Sequence, residues 1–162
     1  MTRSGLGVDS HRFAPGRPLI LGGVDIPHEE GLAGHSDADV LTHAIIDALL
    51  GAAGLGDIGQ HFPDTDQRFK DADSLELLRT VVVFLEQRDL RVVNVDATVM
   101  MERPKLSPFR DAIRQTLSVA LAVPLGDVNV KATTGEGMGF VGRGEGVAAM
   151  AIATLERDAE PR

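Results

Sequence analysis

The 162 residues are 43% hydrophobic and 25% charged, the balance of an ordinary globular chain with one sizeable core. A formal net charge of −8 argues against nucleic acid as the main partner, and no apolar run reaches the roughly 18 residues that a membrane-spanning helix needs. There is no cysteine, so disulfides are excluded and any metal falls to histidines and carboxylates.

The first residues run straight into apparent strand with no signal-peptide core, so a cytoplasmic protein is expected, with residues 1–162 as one domain. From Gly5 to Phe13 the chain alternates. Leu6, Val8 and Ser10 fall on one side and Gly7, Asp9, His11 and Phe13 on the other, so a strand would point Asp9 and His11 the same way. Pro15-Gly16 reads as a turn, and Leu19–Leu21 with Val24–Ile26 as a second strand or a hairpin around Gly22-Gly23. Residues 27–36 read as loop. Ser36 or Asp37 then suits the N-cap of a helix running to about Gly51, with Val40, Leu41, Ala44, Ile45, Ala48 and Leu49 as its apolar stripe. Asp39, His43 and Asp47 follow one edge of that stripe at four-residue spacing, which lets His43 face the sheet edge where Asp9 and His11 project.

Residues 54–66 read as a long loop rich in Gly, Pro and Asp, a type that often carries function. Ser74 is expected to cap a second helix that buries Leu75, Leu78, Val81, Val82 and Leu85. Val92–Met101 is strand-like, with Val93, Val95, Ala97, Val99 and Met101 on one face. After an irregular link, Ser107 as N-cap and Pro108 at the first helical position open a third helix. It turns Phe109, Ile113, Leu117, Ala120 and Leu121 inward and stops at Pro124. Asp127–Thr134 is a strand, residues 135–146 a second glycine-rich loop, and Val147–Leu155 a last strand before a frayed tail from Glu156. This order predicts an α+β fold, a mixed β-sheet covered by α-helices.

Five groups of residues carry chemistry, each with a plainer competitor. Asp9, His11 and His43 offer two imidazoles and a carboxylate, the donor set of a catalytic zinc with its fourth position open. The competing reading is a turn-capping Asp beside two surface histidines. His35-Ser36 ahead of the helix reads as a phosphate site on helix N-terminal amides, or as a cap beside a loop histidine. Asp57, Gly59, Phe62, Pro63, Asp64, Thr65 and Asp66 suit a polyol or a divalent cation, against Asp side chains that bond their own turns. Lys131, Thr133, Thr134, Gly135 and Glu136 suit a diphosphate with Mg²⁺ on Glu136, or are a strand end running into a loop. Arg143, near Phe140, pairs with a phosphate or forms a surface salt bridge. His28 and His61 read as loop histidines.

Taken together, Gly7-Val-Asp-Ser-His-Arg-Phe13, Leu21-Gly-Gly-Val24, Gly34-His-Ser-Asp-Ala-Asp-Val-Leu41, Gly56-Asp-Ile-Gly-x-x-Phe-Pro-Asp-Thr-Asp66, Asn129-Val-Lys-Ala-Thr-Thr134 and Gly142-Arg-Gly-Glu-Gly146 closely resemble the 2-C-methyl-D-erythritol 2,4-cyclodiphosphate synthases of the non-mevalonate isoprenoid pathway. The match covers nearly the whole chain in order. The resemblance implies a homotrimer of α+β subunits with active sites between neighbours. It implies one Zn²⁺ per site on Asp9, His11 and His43, with Asp9 and His11 also facing substrate. His35 and Thr134 would stabilise the transition state, and Ser36 would lie beside the diphosphate. Asp57, Ile58, Gly59 and Phe62–Asp66 would hold the methylerythritol part. Met101, Pro104, Lys105, Leu106 and Ser107 would take the cytosine of the cytidine diphosphate substrate, here from the neighbouring subunit. Thr133, Thr134 and Gly135 would meet the diphosphate, with Mg²⁺ or Mn²⁺ on Glu136. Phe140 and Arg143 would face a central cavity that can hold an isoprenoid diphosphate.

Two departures stand out within the resemblance. Gly135 stands where the family's best-known member has a third threonine, which predicts a more mobile loop. Met101-Glu-Arg103 replaces smaller residues beside the base and changes the side chains there. Two other functions compete. A zinc-dependent phosphoesterase would need a base such as Asp39, Asp47 or Asp64. A non-enzymatic isoprenoid-binding trimer would rely on Phe140 and Arg143 and would have no use for an open zinc.

Overall fold

The structure, a computed structural model, describes residues 1–157. Strand β1 (Thr2–Pro15) pairs antiparallel with β7 (Gly146–Arg157) along an unbroken ladder from Thr2↔Glu156 to Arg12↔Gly146. On its other edge β7 pairs antiparallel with β5 (Leu90–Met100), which runs parallel to β6 (Val128–Thr133). With β4 (Glu30–Leu32) on the far edge, the order is β4-β1-β7-β5-β6, a mixed sheet. A separate hairpin joins β2 (Leu19–Leu21) to β3 (Val24–Ile26). Helices α1 (Val40–Ala53), α3 (Ser74–Glu86) and α4 (Arg110–Leu121) cover one face, so the α+β expectation holds.

Helix α1 lies centrally and is buried on nearly every side, the pattern of a helix enclosed by a core rather than laid on its surface. It sits close because the sheet beneath it is shallow. A Cβ on Gly5 would lie 2.1 Å from the Ala48 carbonyl oxygen, and one on Gly7 1.8 Å from that of Ala44. Ala149, Ala151 and Ala153 of β7 are buried on the same face. This close approach brings His43 of α1 down to the level of Asp9 and His11. The opposite face is uncovered, leaving Leu6, Val8 and Ile152 exposed at 59%, 54% and 51%. No helix among the described residues is long and apolar enough to cross a membrane.

Several expected boundaries move, each for a local reason. Helix α1 is capped by Asp39, not by Ser36 or Asp37, and Ala38 just before it is left-handed at φ 57°. Helix α3 is capped by Asp73, whose carboxylate accepts from the Leu75 amide, which frees the Ser74 hydroxyl. A bulge between Val92 and Asn94 shifts the register of β5, so Val92 takes the buried place expected for Val93. Ser107–Phe109 is a 3-10 turn, and α4 follows without a side-chain cap, ending at a left-handed Ala122 rather than at Pro124. Two loops contain single helical turns, α2 (Ile58–His61) and α5 (Gly139–Gly142), and residues 27–36 contain β4. Glu156 and Arg157 complete β7 instead of fraying, and the rest of the expected tail lies outside the described residues.

Candidate active site

Asp9 and His11 project from β1 toward α1, which delivers His43. The Asp9 Oδ2 lies 2.9 Å from His11 Nε2 and 3.1 Å from His43 Nδ1, and the two nitrogens are 3.2 Å apart. Three ligands on tetrahedral bonds of ~2.0–2.1 Å would be spaced at about 3.3 Å, so the triangle is the size of a zinc site.

The proton inventory points the same way. The Ala33 carbonyl can only accept, so His11 Nδ1, 2.7 Å away, carries a proton, and a neutral ring has its Nε2 lone pair turned toward Asp9. The Asp37 carboxylate likewise only accepts, so the Ser74 hydroxyl donates to it. The Ser74 oxygen then accepts from His43 Nε2 at 2.9 Å, with the Ser36 hydroxyl also near at 3.1 Å. That leaves the His43 Nδ1 lone pair aimed at Asp9. A carboxylate and two imidazole lone pairs converging on one point repel each other unless a cation lies between them, and two imidazoles with one carboxylate are the donors zinc prefers. Without a metal, a proton supplies that cation. Burial alone would raise the Asp9 carboxyl, but hydrogen bonds and charge from His11 and His43 prevail and lower it to about 2. Burial lowers His11, and Asp9 outweighs it and raises the imidazole above its ordinary value.

A cavity of about 400 Å³ opens at the triad, and Ile58, Gly59, Phe62, Pro63 and Asp64 line it together with His35 and Ser36. His35 is held by its Nε2, which donates to the Asp66 carbonyl at 2.9 Å. Asp57, Thr65 and Asp66 do not line the cavity. Asp57 caps α2 through the Gln60 amide, and the Asp66 carboxylate holds Arg68, which lowers its pKa.

A second pocket, about 180 Å³, lies at the far end of β5 and β6, where Met101, Pro104, Lys105, Leu106 and Ser107 meet Thr133 and Thr134. Gly135 and Glu136 continue from it, with the Thr134 hydroxyl accepting from the Glu136 amide at 3.2 Å. Glu136 is an exposed carboxylate, and Mg²⁺ commonly needs only one or two such groups plus substrate phosphates. A third cavity, about 670 Å³, includes Phe140, Arg12 and Glu145. Arg143 does not line it and forms an ion pair with Glu145 at 2.8 Å.

The candidate bases of a hydrolase fare unequally. Asp39 is fully buried, and its oxygens accept from the amides of Gly22, Gly23 and Thr42 and from the Thr42 hydroxyl. Asp47 accepts from the Ile58 amide at 2.7 Å and is raised chiefly by burial. Only Asp64 faces the triad cavity. Sequence reasoning missed Asp37 and Ser74 behind His43, Arg12 in the third cavity, Arg110 in the second, and Glu102, whose carboxylate accepts from the Gly135 amide at 2.6 Å. A signal for Ser74 was available: Asp73 and Ser74 are adjacent cap-type residues, and one helix end needs only one of them.

The model of the YgbB family matches residues 2–156. The 2-C-methyl-D-erythritol 2,4-cyclodiphosphate synthase of Salinibacter ruber is 61% identical over 154 residues, covering 95% of this chain and 98% of the relative. Among solved structures, a 2C-methyl-D-erythritol-2,4-cyclodiphosphate synthase in a CDP-bound form superposes with a TM-score of 0.87 at 40% identity, over 95% of this chain and all of the other. The bifunctional IspDF from Campylobacter jejuni superposes with a TM-score of 0.94 at 44% identity, over 97% of this chain but only 42% of that longer one.

Proposed function

The chain belongs to the YgbB family, and from that premise we propose that it converts 4-diphosphocytidyl-2-C-methyl-D-erythritol 2-phosphate to 2-C-methyl-D-erythritol 2,4-cyclodiphosphate and CMP, as a single domain over residues 1–162, in the non-mevalonate isoprenoid pathway. The observation that carries the reading is the convergence of Asp9, His11 and His43, whose ligand atoms all lie within 4.8 Å of one another, at the mouth of a cavity. An oxygen of the 2-phosphate forms a bond to the β-phosphorus. The bond from that phosphorus to the bridging oxygen breaks, and CMP departs with the oxygen. Zn²⁺ on Asp9, His11 and His43, with Mg²⁺ or Mn²⁺ on Glu136, would supply Lewis acidity to the phosphate oxygens.

The remaining work belongs to side chains. His35, steadied by Asp66, and Ser36 meet the phosphates at the cavity, and the Thr134 hydroxyl meets the diphosphate from the other side. Ile58, Phe62 and Pro63 give the methylerythritol part an apolar wall that excludes competing water. Met101–Ser107 takes the cytosine, with Lys105 as its cation. Holding both phosphorylated ends of one molecule in place supplies on the order of 7–11 kcal/mol, and phosphoryl transfer asks little else of a protein.

The active site forms between subunits of a homotrimer. Two features support this. The triad on β1 and the pocket at the end of β6 are separated by β7 and β5 within one chain. The sheet face carrying Leu6, Val8, Met150 and Ile152 is apolar and uncovered, as a subunit contact requires. Phe140 with the third cavity would take an isoprenoid diphosphate. The test is to incubate the pure protein with the substrate, Zn²⁺ and Mg²⁺. Equimolar CMP and cyclic diphosphate are expected, and open-chain hydrolysis products would overturn the reading in favour of a zinc phosphoesterase. His43→Ala should fold yet lose both zinc and turnover, and unchanged zinc content by mass spectrometry would refute the ligand assignment. Sedimentation should give three copies of the chain per particle.

A further inference from the structure

We propose that Glu102 is a positioning residue that ties the base-binding segment to the turn carrying Glu136, so that filling one sets the other. The inference rests on the function proposed above. Met101 and Glu102 are consecutive, and both reach across to the same partner segment. The Met101 amide donates to the Thr133 carbonyl at 2.9 Å, and Glu102 Oε1 accepts from the Gly135 amide at 2.6 Å and lies 3.5 Å from the Gly137 nitrogen. One carboxylate oxygen thus addresses the amides on both sides of Glu136.

Glu136 needs such a hold. Its φ is +52°, a left-handed conformation that a residue with a side chain adopts only when its surroundings impose it. Its own amide donates to the Thr134 hydroxyl. Gly135 is seated tightly: a Cβ there would lie 2.6 Å from the Gly142 nitrogen and 2.8 Å from the Met138 carbonyl oxygen, both in or beside α5. The glycine expected to loosen this turn is therefore what lets it close against α5, and its amide is presented to Glu102 from a fixed place. Gly135 and the Met101-Glu-Arg103 segment thus meet in a single hydrogen bond.

The consequence is coupling. A base that orders residues 101–107 also fixes Glu102, hence the direction of the Glu136 carboxylate and its affinity for a divalent cation. By linkage, the cation must tighten nucleotide binding by the same factor.

Two variants separate reach from charge. Glu102→Asp keeps the charge but is one methylene too short, and Glu102→Gln keeps the reach and one acceptor oxygen. In the full-length protein without ligands, hydrogen exchange of the Gly135 amide should speed about tenfold in Glu102→Asp and stay within about threefold of wild type in Glu102→Gln. With CDP bound, Mn²⁺ affinity read by electron paramagnetic resonance should fall about tenfold in Glu102→Asp and largely survive in Glu102→Gln. Zinc content should be unchanged in both. Unaltered Gly135 exchange in Glu102→Asp, or a Gln variant as impaired as the Asp one, would overturn the proposal. If wild-type protein does not bind CDP at all, the functional reading fails instead, and the exchange comparison still reports on the Glu102 tie.

Discussion

At the Asp9–His11–His43 cluster each imidazole nitrogen that faces away from the cluster has its own acceptor: the Ala33 carbonyl behind His11, and behind His43 the Ser74 hydroxyl, itself held by Asp37. At residues 101–107 and 133–136 most polar groups, Lys105 and Glu136 among them, stand exposed. The sheet places the two regions level with each other, through the ladder Asp9↔Ala149, Ala149↔Val99 and Val99↔Ala132, three strand spacings or roughly 14 Å apart. The difference in support matches the difference between the two proposed tasks. A metal site needs ligands fixed before the ion arrives, since misplacement is paid in affinity. A nucleotide pocket at a chain's edge tolerates groups that order on binding.

The frame of the first region is the place to break the contrast hardest. Asp39 caps α1 and, through Gly22 and Gly23, ties the β2–β3 hairpin to the helix that carries His43. Asp39→Ala strands three backbone amides, two of them in fully buried surroundings, and should cost about 3 kcal/mol or more. For a chain of this length that lowers the melting temperature by roughly 6–12 °C in a thermal scan. A loss below about 1 kcal/mol would mean that the frame is softer than its hydrogen bonds imply.

A milder cut goes behind His43, the proposed ligand. Ser74→Ala removes one acceptor from His43 Nε2 while Ser36, at 3.1 Å, remains to take the proton. Zinc affinity, measured against a chelator, should drop about tenfold, the lower end of what outer partners contribute. CMP affinity should not move. If Ser74→Ala weakened CMP as much as zinc, the two regions would not be the separate modules their support suggests.

The same contrast governs what was legible in the sequence. Asp9, His11 and His43 were readable because period two in a strand and the capped start of a helix each fix a direction, and two fixed directions intersect. The layout of sheet and helices was readable for the same reason. The bulge after Val92 was not, since Val92 and Val93 are equally apolar and only pairing with β7 decides which one turns inward. The cap of α1 was misplaced because Ser36, Asp37 and Asp39 are all good caps. The choice fell to long-range partners, His43 for Ser36, Ser74 for Asp37 and Gly22 for Asp39. Glu102 was invisible because its partners are backbone amides, which any sequence supplies.

The exposed region should yield the smallest effect. Lys105 is exposed and sits on a flexible stem, whereas its neighbour Leu106 is buried at 3% and anchors the segment. A solvated ammonium beside a nucleotide contributes under about 1 kcal/mol, so Lys105→Ala should weaken CMP about fourfold by calorimetry, with zinc content and melting temperature unchanged. The deficit should shrink further at high salt, because added ions screen exposed charges and barely reach buried ones. Zinc binding to the part-buried triad should show little of that dependence. A Lys105→Ala deficit that resists salt would instead make Lys105 a desolvated contact in the assembled site, unlike its exposed place in the single chain.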